Sequence, residues 1–228
     1  FDEASQIFPW DAIGAISRAK QVIIVGDSKQ MPPTDFFSSN TIEESEENAE
    51  ESDSLDFESI LDLGSAILPS QRLNWHYRSK TEELIAFSNE NYYDSSLVTF
   101  PSAYGNRKDM GVDFYYQEDG IFDRKRRVNE NEAKKVVELV FEHFKNHPER
   151  SLGVVAFSVA QQEIIQDKIQ EYRLNNKQFE KFFDDSLKEP FFVKNLETVQ
   201  GDERDTIIFS IAYAKDEEGR FLHNFGPF

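Results

Sequence analysis

Cysteine is absent from the 228 residues of this chain, which excludes disulfide scaffolds, cysteine-ligated zinc and thiol nucleophiles. Long apolar runs are also absent, since none approaches the ~20 residues that a helix needs to span a bilayer. The four histidines do not fall in a metal spacing such as His-Glu-x-x-His. These absences predict a globular protein without a membrane segment, and the lack of cysteine fits a cytoplasmic location.

Basic residues are scarce, because 25 Lys and Arg stand against 43 Asp and Glu, for a net charge of −18. This balance argues at first against a nucleic-acid partner, since phosphate contacts require Lys and Arg. Half of the net charge, however, comes from nine acidic residues between Thr41 and Glu58, a block typical of a solvated linker. The basic cluster 124–127 is either a nucleic-acid contact or a solvated loop.

Apolar segments alternate with helical patterns along the chain. The 3-1-3-1-3 spacing of apolar residues over 129–144 predicts the clearest helix. Further helices are predicted at 55–63, where Gly64 would end the helix, and at 81–93, 159–172 and 178–187. Strands are predicted at 21–25, 71–75, 112–116, 152–157, 191–196 and 206–212. This alternation predicts an α/β fold with a parallel sheet.

Two short motifs near the start of the chain carry polar residues that could act on a nucleotide. Asp2 and Glu3 are adjacent carboxylates, which can hold Mg²⁺ and take a proton from an attacking water. Gly26 to Gln30 follows the predicted strand 21–25, and ligands bind beyond the carboxyl ends of strands in open α/β sheets. Gln30 could donate to a phosphate there. Taken alone, each motif is also consistent with an ordinary turn.

Two further motifs lie later in the chain. Arg78 could reach a terminal phosphate as an arginine finger, and Tyr77 could stack on a base. Gly201 permits a close backbone approach, and Glu203 could accept a hydrogen bond from a ribose hydroxyl. A buried tyrosine beside a surface arginine, and a plain turn, are the alternatives for these two motifs.

The order and spacing of the four motifs resemble those of superfamily 1 helicases, most closely the branch of the nonsense-mediated-decay RNA helicase and its bacterial relatives. The matching segments are 2–6 (Asp-Glu-Ala-Ser-Gln), 26–33 (Gly-Asp-Ser-Lys-Gln-Met-Pro-Pro), 77–79 (Tyr-Arg-Ser) and 200–203 (Gln-Gly-Asp-Glu). The resemblance implies a RecA-like parallel sheet flanked by helices, the P-loop NTPase helicase core. It also implies ATP-dependent movement on single-stranded DNA or RNA.

The resemblance implies a role in ATP hydrolysis for five residues. Asp2 would hold Mg²⁺ through water, and Glu3 would be the general base. Gln30 would sense the γ-phosphate of ATP from the first RecA-like domain. Arg78 would reach the same phosphate from the second domain, with Tyr77 near the adenine.

Five more residues are implied in binding. Gly201 and Glu203 would meet the phosphate and ribose side of ATP. Thr198 would touch the nucleic-acid backbone. The loop that contains Phe157 and Ser158 would contact the strand being tracked.

Two elements of the family pattern are absent from these residues. No glycine is followed by lysine, so the phosphate-cradling Gly-x-x-x-x-Gly-Lys-Ser/Thr loop is missing. The last, arginine-bearing motif, expected near Gly226, is missing too. We therefore expect a fragment without ATPase activity of its own. Its expected parts are a remnant of the first RecA-like domain at 1–40, an acidic linker with a short helix at 41–66, and the second RecA-like domain at 67–228.

Other readings stay open from the sequence. The apolar residues of the first segment are expected to dock on the second domain or to promote self-association. The chain could also be a non-catalytic module that binds nucleic acid or protein, or part of an ATPase that acts on protein partners. The choice between DNA and RNA is not decided by these residues.

Overall fold

The computed structural model describes residues 1–33, 57–101 and 110–221. The chain forms two compact units, Phe1–Asp113 and Phe114–Phe228. This boundary falls later than the expected domain change at residue 67, and the assignment of each segment to a RecA-like domain stays a prediction. Most of the acidic tract lies outside the described residues.

The first unit contains short helices and two very short strands. Its elements are a 3-10 helix (Ala4–Gln6), α1 (Pro9–Ile16), α2 (Ile60–Ile67), β1 (Trp75–His76), α3 (Glu83–Tyr92) and β2 (Val98–Thr99). Strands β1 and β2 pair in parallel. A small core forms around the buried residues Ala4, Ala12 and Ile60. Trp10 and Ile13 are exposed, and self-association through this segment stays a prediction.

The prediction of a buried strand over 21–25 is wrong. The segment has no regular secondary structure, and Ile23 and Val25 are 66% and 44% exposed. It is held to the start of the chain by hydrogen bonds of 2.9 Å from Val25 N to Phe1 O and from Ala4 N to Val25 O. Ile24 packs against the small core of the unit, whereas Ile23 and Val25 stay exposed.

The helix predicted at 55–63 corresponds to α2, which begins later, at Ile60, and ends later, at Ile67. Ser59 caps it, since its hydroxyl accepts from Asp62 N at 3.2 Å and the Asp62 carboxylate accepts from Ser59 N at 3.2 Å, a capping box. Gly64, expected to end the helix, lies inside it. A Cβ there would come within 2.8 Å of Ile24 Cδ1, so glycine serves close packing at this position.

The predicted strand at 112–116 is also wrong, because the segment forms no strand and Phe114 is 80% exposed. The strand predicted at 71–75 is reduced to β1. The helix predicted at 81–93 is confirmed as α3. An apolar run becomes a strand only where a pairing partner is available, which the run itself does not specify.

The second unit has the predicted α/β organisation. Its elements are β3 (Phe122–Asp123), β4 (Val128–Asn129), α4 (Glu130–Asn146), β5 (Leu152–Ala156), α5 (Val159–Asn175), a 3-10 helix (Lys177–Phe183), β6 (Phe192–Asn195) and β7 (Thr206–Ser210). Strands β3 and β4 form an antiparallel hairpin. The order β6-β5-β7, with both pairs parallel, confirms the parallel sheet.

The core of this unit lies between the sheet and helices α4 and α5. The apolar stripe predicted for α4 is buried, and it packs with Ile164, Ile165 and Ile169 of α5. The segment 178–187 forms a 3-10 helix over its first part instead of the predicted α-helix. Its phenylalanines pack on α4, with Phe182 stacked on Phe144 at 4.4 Å between ring centroids. Among the described residues, no helix has the length and apolar character needed to cross a membrane.

Candidate functional site

The ten predicted site residues divide equally between the two units. Asp2, Glu3, Gln30, Tyr77 and Arg78 lie in the first unit. Gly201, Glu203, Thr198, Phe157 and Ser158 lie in the second unit. Each set is therefore described within its own unit.

Asp2 and Glu3 form an exposed turn at the start of the first unit. Glu3 has φ 50° and ψ 41°, a left-handed conformation that is uncommon for any residue except glycine. Its N–H donates to Asp2 Oδ1 at 3.0 Å. Ala4 and Ser5, directly after it, are buried. The turn thus presents two carboxylates to solvent from an anchored and strained backbone, and such strain clusters at functional sites.

Ser5 adds an unusual feature to this turn. Its hydroxyl oxygen is buried and has no hydrogen-bond partner within the part of the chain that the structure describes. Buried polar groups are nearly always paired. A buried hydroxyl without a partner among the described residues therefore follows the two exposed carboxylates by two positions in the sequence.

The loop that begins at Gly26 lies against this turn. A Cβ at Gly26 would come within 3.0 Å of Ala4 N and 3.1 Å of Ser5 N. Because these are backbone atoms, a Cβ would require the two segments to move apart by a few tenths of an ångström, so glycine favours this close approach. The structure thus brings the motif at 2–6 and the motif at 26–33 side by side.

Asp27 organises the loop that contains Gln30. Its Oδ1 accepts from Lys29 N at 2.9 Å, and its Oδ2 accepts from Gln30 Nε2 at 3.3 Å and from the Tyr93 hydroxyl at 2.5 Å. Burial, together with the hydrogen bond to the Asp27 carboxylate, raises the pKa of Tyr93 to about 12. Sequence reasoning missed Tyr93, because 66 residues separate it from Asp27 and no local pattern joins them.

Tyr77 and Arg78 lie on a separate segment between β1 and α3, and both side chains are exposed. Tyr77 is 77% exposed, which excludes the alternative of a buried structural tyrosine. The turn around them is fixed by His76, whose Nε2 accepts from Ser79 N at 3.2 Å. The Tyr77 ring is therefore open to stacking on a ligand.

Gly201 lies in an exposed loop before β7 and has φ 83°. Nothing lies within 4 Å of the position that a Cβ would take, so the backbone conformation rather than packing favours glycine here. Arg204 anchors the loop, since its guanidinium donates to Pro190 O at 2.7 Å and lies 4.7 Å from the centre of the Phe192 ring. Glu203, between them, is exposed.

The three residues predicted to contact nucleic acid each have a structural role in the second unit. The Thr198 hydroxyl donates to Asn195 Oδ1 at 2.8 Å in the turn after β6. The Ser158 hydroxyl accepts from Gln161 N at 3.2 Å and caps α5. Phe157 is half-buried and lies edge-on to Phe209. Their contact with a nucleic acid stays a prediction.

A buried polar network that sequence reasoning missed joins the end of β7 to α4 and α5. The Gln161 amide accepts from Asn129 N at 2.9 Å and donates to Asn129 O at 3.2 Å and Ser210 Oγ at 3.1 Å. The Glu132 carboxylate accepts from Ser210 Oγ at 2.7 Å and Ala212 N at 2.9 Å. Ala212 has φ 67°, so Glu132 supports a strained backbone. The signal for this network in the sequence is that polar Gln161 stands at helical spacing from the apolar Ile164 and Ile165 of α5.

The four cationic residues at 124–127 form the turn between β3 and β4. Arg124 pairs with Asp216 at 2.7 Å, and Arg126 pairs with Glu130 at 3.5 Å. Both pairs involve partly exposed groups and contribute little to stability. Two of the four charges are thus balanced within the unit, which favours the solvated-loop alternative.

The carboxylates of the chain suit one kind of metal site, Mg²⁺ bound beside a nucleotide. Across residues 1–33, 57–101 and 110–221, no group of three or more His, Asp or Glu side chains is placed to hold a metal ion. Magnesium beside a nucleotide uses one or two carboxylates and completes its shell with water and phosphate oxygens. The exposed Asp2–Glu3 turn fits that requirement.

Comparison with known proteins assigns the chain to a family. Residues 52–225 match the sequence profile of a family described as an AAA domain. The chain belongs to this AAA domain family. Membership confirms the resemblance to superfamily 1 helicases that the four motifs indicated, and it agrees with the parallel sheet flanked by helices.

Two relatives of this AAA domain protein are helicases by name. The uncharacterized ATP-dependent helicase MG140 of Mycoplasma genitalium is 37% identical over 235 residues, which cover 99% of this chain and 20% of the relative. Its homolog in Mycoplasma pneumoniae is 34% identical over 235 residues, with the same coverage of 99% and 20%. The chain thus spans about a fifth of the length of these relatives.

Replacing Gly26 by Ala in this AAA domain protein is expected to lower the free energy of unfolding by about 1–3 kcal/mol, because the added methyl group meets backbone atoms. Gly14→Ala is the matched control. Nothing lies within 4 Å of the Gly14 Cβ position in α1, so alanine should stabilise that helix by up to about 1 kcal/mol. Urea unfolding measures both, and effects of the same sign would contradict the close approach at Gly26.

Removing the Tyr93 hydroxyl is expected to have a pH-dependent effect on stability. Folding raises the pKa of Tyr93 from 10.0 to about 12, so the hydroxyl contributes fully below about pH 10 and its contribution is lost as the pH rises towards 12. Tyr93→Phe should therefore cost about 1 kcal/mol at neutral pH and less above pH 10. Tyr92→Phe, at an exposed neighbouring tyrosine, is the control for the loss of a hydroxyl, and a cost for Tyr93→Phe that stays constant with pH would contradict the contact.

Proposed function

We propose that this chain is part of an ATP-dependent helicase or translocase that couples ATP hydrolysis to movement on single-stranded DNA or RNA. The observation that carries the proposal is the contact between the exposed Asp2–Glu3 turn and the loop of Gly26 to Gln30. This contact places the start of the loop that carries Gln30 against the residues that directly follow the acidic pair. Family membership and the names of the two relatives support the same class of activity.

In this proposal the first unit supplies the groups for hydrolysis. Bound ATP and Mg²⁺ supply the phosphoryl group and its charge compensation. Asp2 would hold Mg²⁺ through water, and Glu3 would take the proton from the attacking water. Gln30, held at Asp27, donates to the γ-phosphate. Arg78 neutralises the charge that develops on the transferred group.

The second unit and Tyr77 supply groups that bind ATP and the single strand. The exposed loop of Gly201 and Glu203 receives the phosphate and ribose side of ATP, and the exposed Tyr77 ring stacks near the adenine. Thr198 and the loop of Phe157 and Ser158 contact the single strand. Their hydrogen bonds and helix cap keep these loops in a defined shape.

We further propose that the 228 residues alone do not hydrolyse ATP. They contain no Gly-Lys pair and hence no phosphate-cradling loop. The loss of an arginine finger by itself can cost ~10³–10⁵ in rate, and the last arginine motif is absent as well. The full-length protein is therefore the proper sample for activity.

The experiment that tests the function is ATP hydrolysis by the full-length protein, with and without single-stranded DNA and RNA. We expect strong stimulation by one of the polymers and no hydrolysis by the 228-residue chain. Hydrolysis that is indifferent to both polymers would replace the proposal with an ATPase that acts on protein partners. Polymer binding without any hydrolysis would replace it with a binding module.

A further inference from the structure

The end of α3 meets the loop of Gln30 through a single carboxylate. Tyr93, the residue that caps the C-terminus of α3, donates its hydroxyl hydrogen to Asp27 Oδ2. The same oxygen accepts from Gln30 Nε2 at 3.3 Å. The other oxygen of Asp27 accepts from Lys29 N at 2.9 Å. Two local contacts and one long-range contact therefore converge on Asp27.

Tyr93 is itself held in place at its backbone carbonyl and at its ring. Arg72 Nη2 donates to Tyr93 O at 3.3 Å, and the Arg72 guanidinium lies 5.8 Å from the centre of the Tyr93 ring. Ser96 N donates to Tyr93 O at 2.9 Å, which closes a turn after the helix. The Tyr93 hydroxyl is thus a donor fixed by the body of the unit, whereas Lys29 and Gln30 belong to the loop.

We propose that Tyr93 is a positioning residue that orients Asp27 and thereby fixes the direction of the Gln30 amide. A carboxylate on a loop with local contacts alone can rotate together with the amide that it binds, and an independent donor removes that freedom. The inference rests on the proposed function, in which Gln30 contacts the γ-phosphate. It adds a residue outside the four motifs to the machinery for hydrolysis.

The position of Tyr93 gives this contact a second consequence. Helix α3 follows directly after the segment of Tyr77 and Arg78, so Tyr93 ties the far end of that helix to the Gln30 loop. The segment with the arginine and the loop with the glutamine are thus linked within one unit. A change at Tyr93 should therefore affect the rate of hydrolysis more than the affinity for ATP.

The test is a double-mutant cycle on polymer-stimulated ATP hydrolysis by the full-length protein. Tyr93→Phe should lower kcat about five- to tenfold, as expected for one lost hydrogen bond of about 1 kcal/mol, with KM for ATP changed less than about twofold. The control Tyr92→Phe removes an exposed hydroxyl one residue earlier and should leave kcat unchanged. In a Gln30→Ala background, Tyr93→Phe should cause no further loss.

The outcomes separate this inference from the proposed function. An unchanged kcat in Tyr93→Phe, or an equal loss in the presence and absence of Gln30, would overturn the positioning role. If the wild-type protein hydrolyses no ATP, the proposed function fails, and hydrogen exchange of residues 26–30 still tests the contact. Tyr93→Phe should speed that exchange about five- to tenfold relative to Tyr92→Phe, and equal exchange would overturn the inference.

Discussion

Glu3→Gln in the full-length protein is expected to lower ATP turnover by about 10²- to 10⁴-fold, the contribution typical of a general base. The amide keeps the size of the side chain and its exposed position on the left-handed turn, but it cannot take the proton of the attacking water. Nucleotide affinity should change little, because the proposed role of the carboxylate is to act on the water rather than on ATP. Phosphate release under saturating ATP and polymer measures the effect.

Two comparisons make this result specific. Glu90→Gln changes an exposed carboxylate on α3 in the same unit and should leave turnover within a factor of about two. Arg78→Ala should lower turnover by about 10³- to 10⁵-fold, the effect that the proposed arginine-finger role implies. A Glu3→Gln protein that retains turnover within a few-fold of wild type would remove Glu3 from the catalytic groups.

Gln161→Leu is expected to be the most destabilising of the substitutions considered. Leucine has a similar volume, but it removes the partners of Asn129 N and Asn129 O, both buried. Each buried group left without a partner costs about 1–3 kcal/mol. The free energy of unfolding should therefore fall by about 2–6 kcal/mol, measured by urea unfolding of the chain.

Gln170→Leu provides the matched control on the same helix. The Gln170 amide lies on the exposed side of α5 and bonds only to the Arg173 side chain in the described contacts. An exposed change of this kind should alter stability by less than about 0.5 kcal/mol. Equal losses for the two variants would show that the network around Gln161 is not formed in solution.

The second unit was largely predictable because its signals are local. The apolar stripe of α4 and the continuous apolar run of β5 identify elements whose burial depends on each other. The first unit was less predictable. The run 21–25 looks like a buried strand, but its pairing depends on residues far away in the chain, and Gly64 resembles a helix stop although its packing on Ile24 decides its place.

The candidate site also divides into residues that local patterns predict and residues that long-range contacts bring together. The motifs of Asp2, Glu3 and Gln30 are local patterns, so the sequence alone pointed to them. Their contact through Gly26 depends on backbone geometry that no pattern encodes. Tyr93 and the Gln161 network escaped notice because their partners lie tens of residues away. Long-range hydrogen bonds of this kind become visible only when the fold brings the chain together.

We propose that ATP hydrolysis at the Asp2–Glu3 turn drives movement along a single strand. Displacement of streptavidin from the biotinylated end of single-stranded DNA or RNA by the full-length protein tests it most directly. We predict displacement from one end that requires ATP and is lost in Glu3→Gln. Absence of ATP-dependent displacement from either end of both polymers, or equal displacement by Glu3→Gln, would contradict the claim.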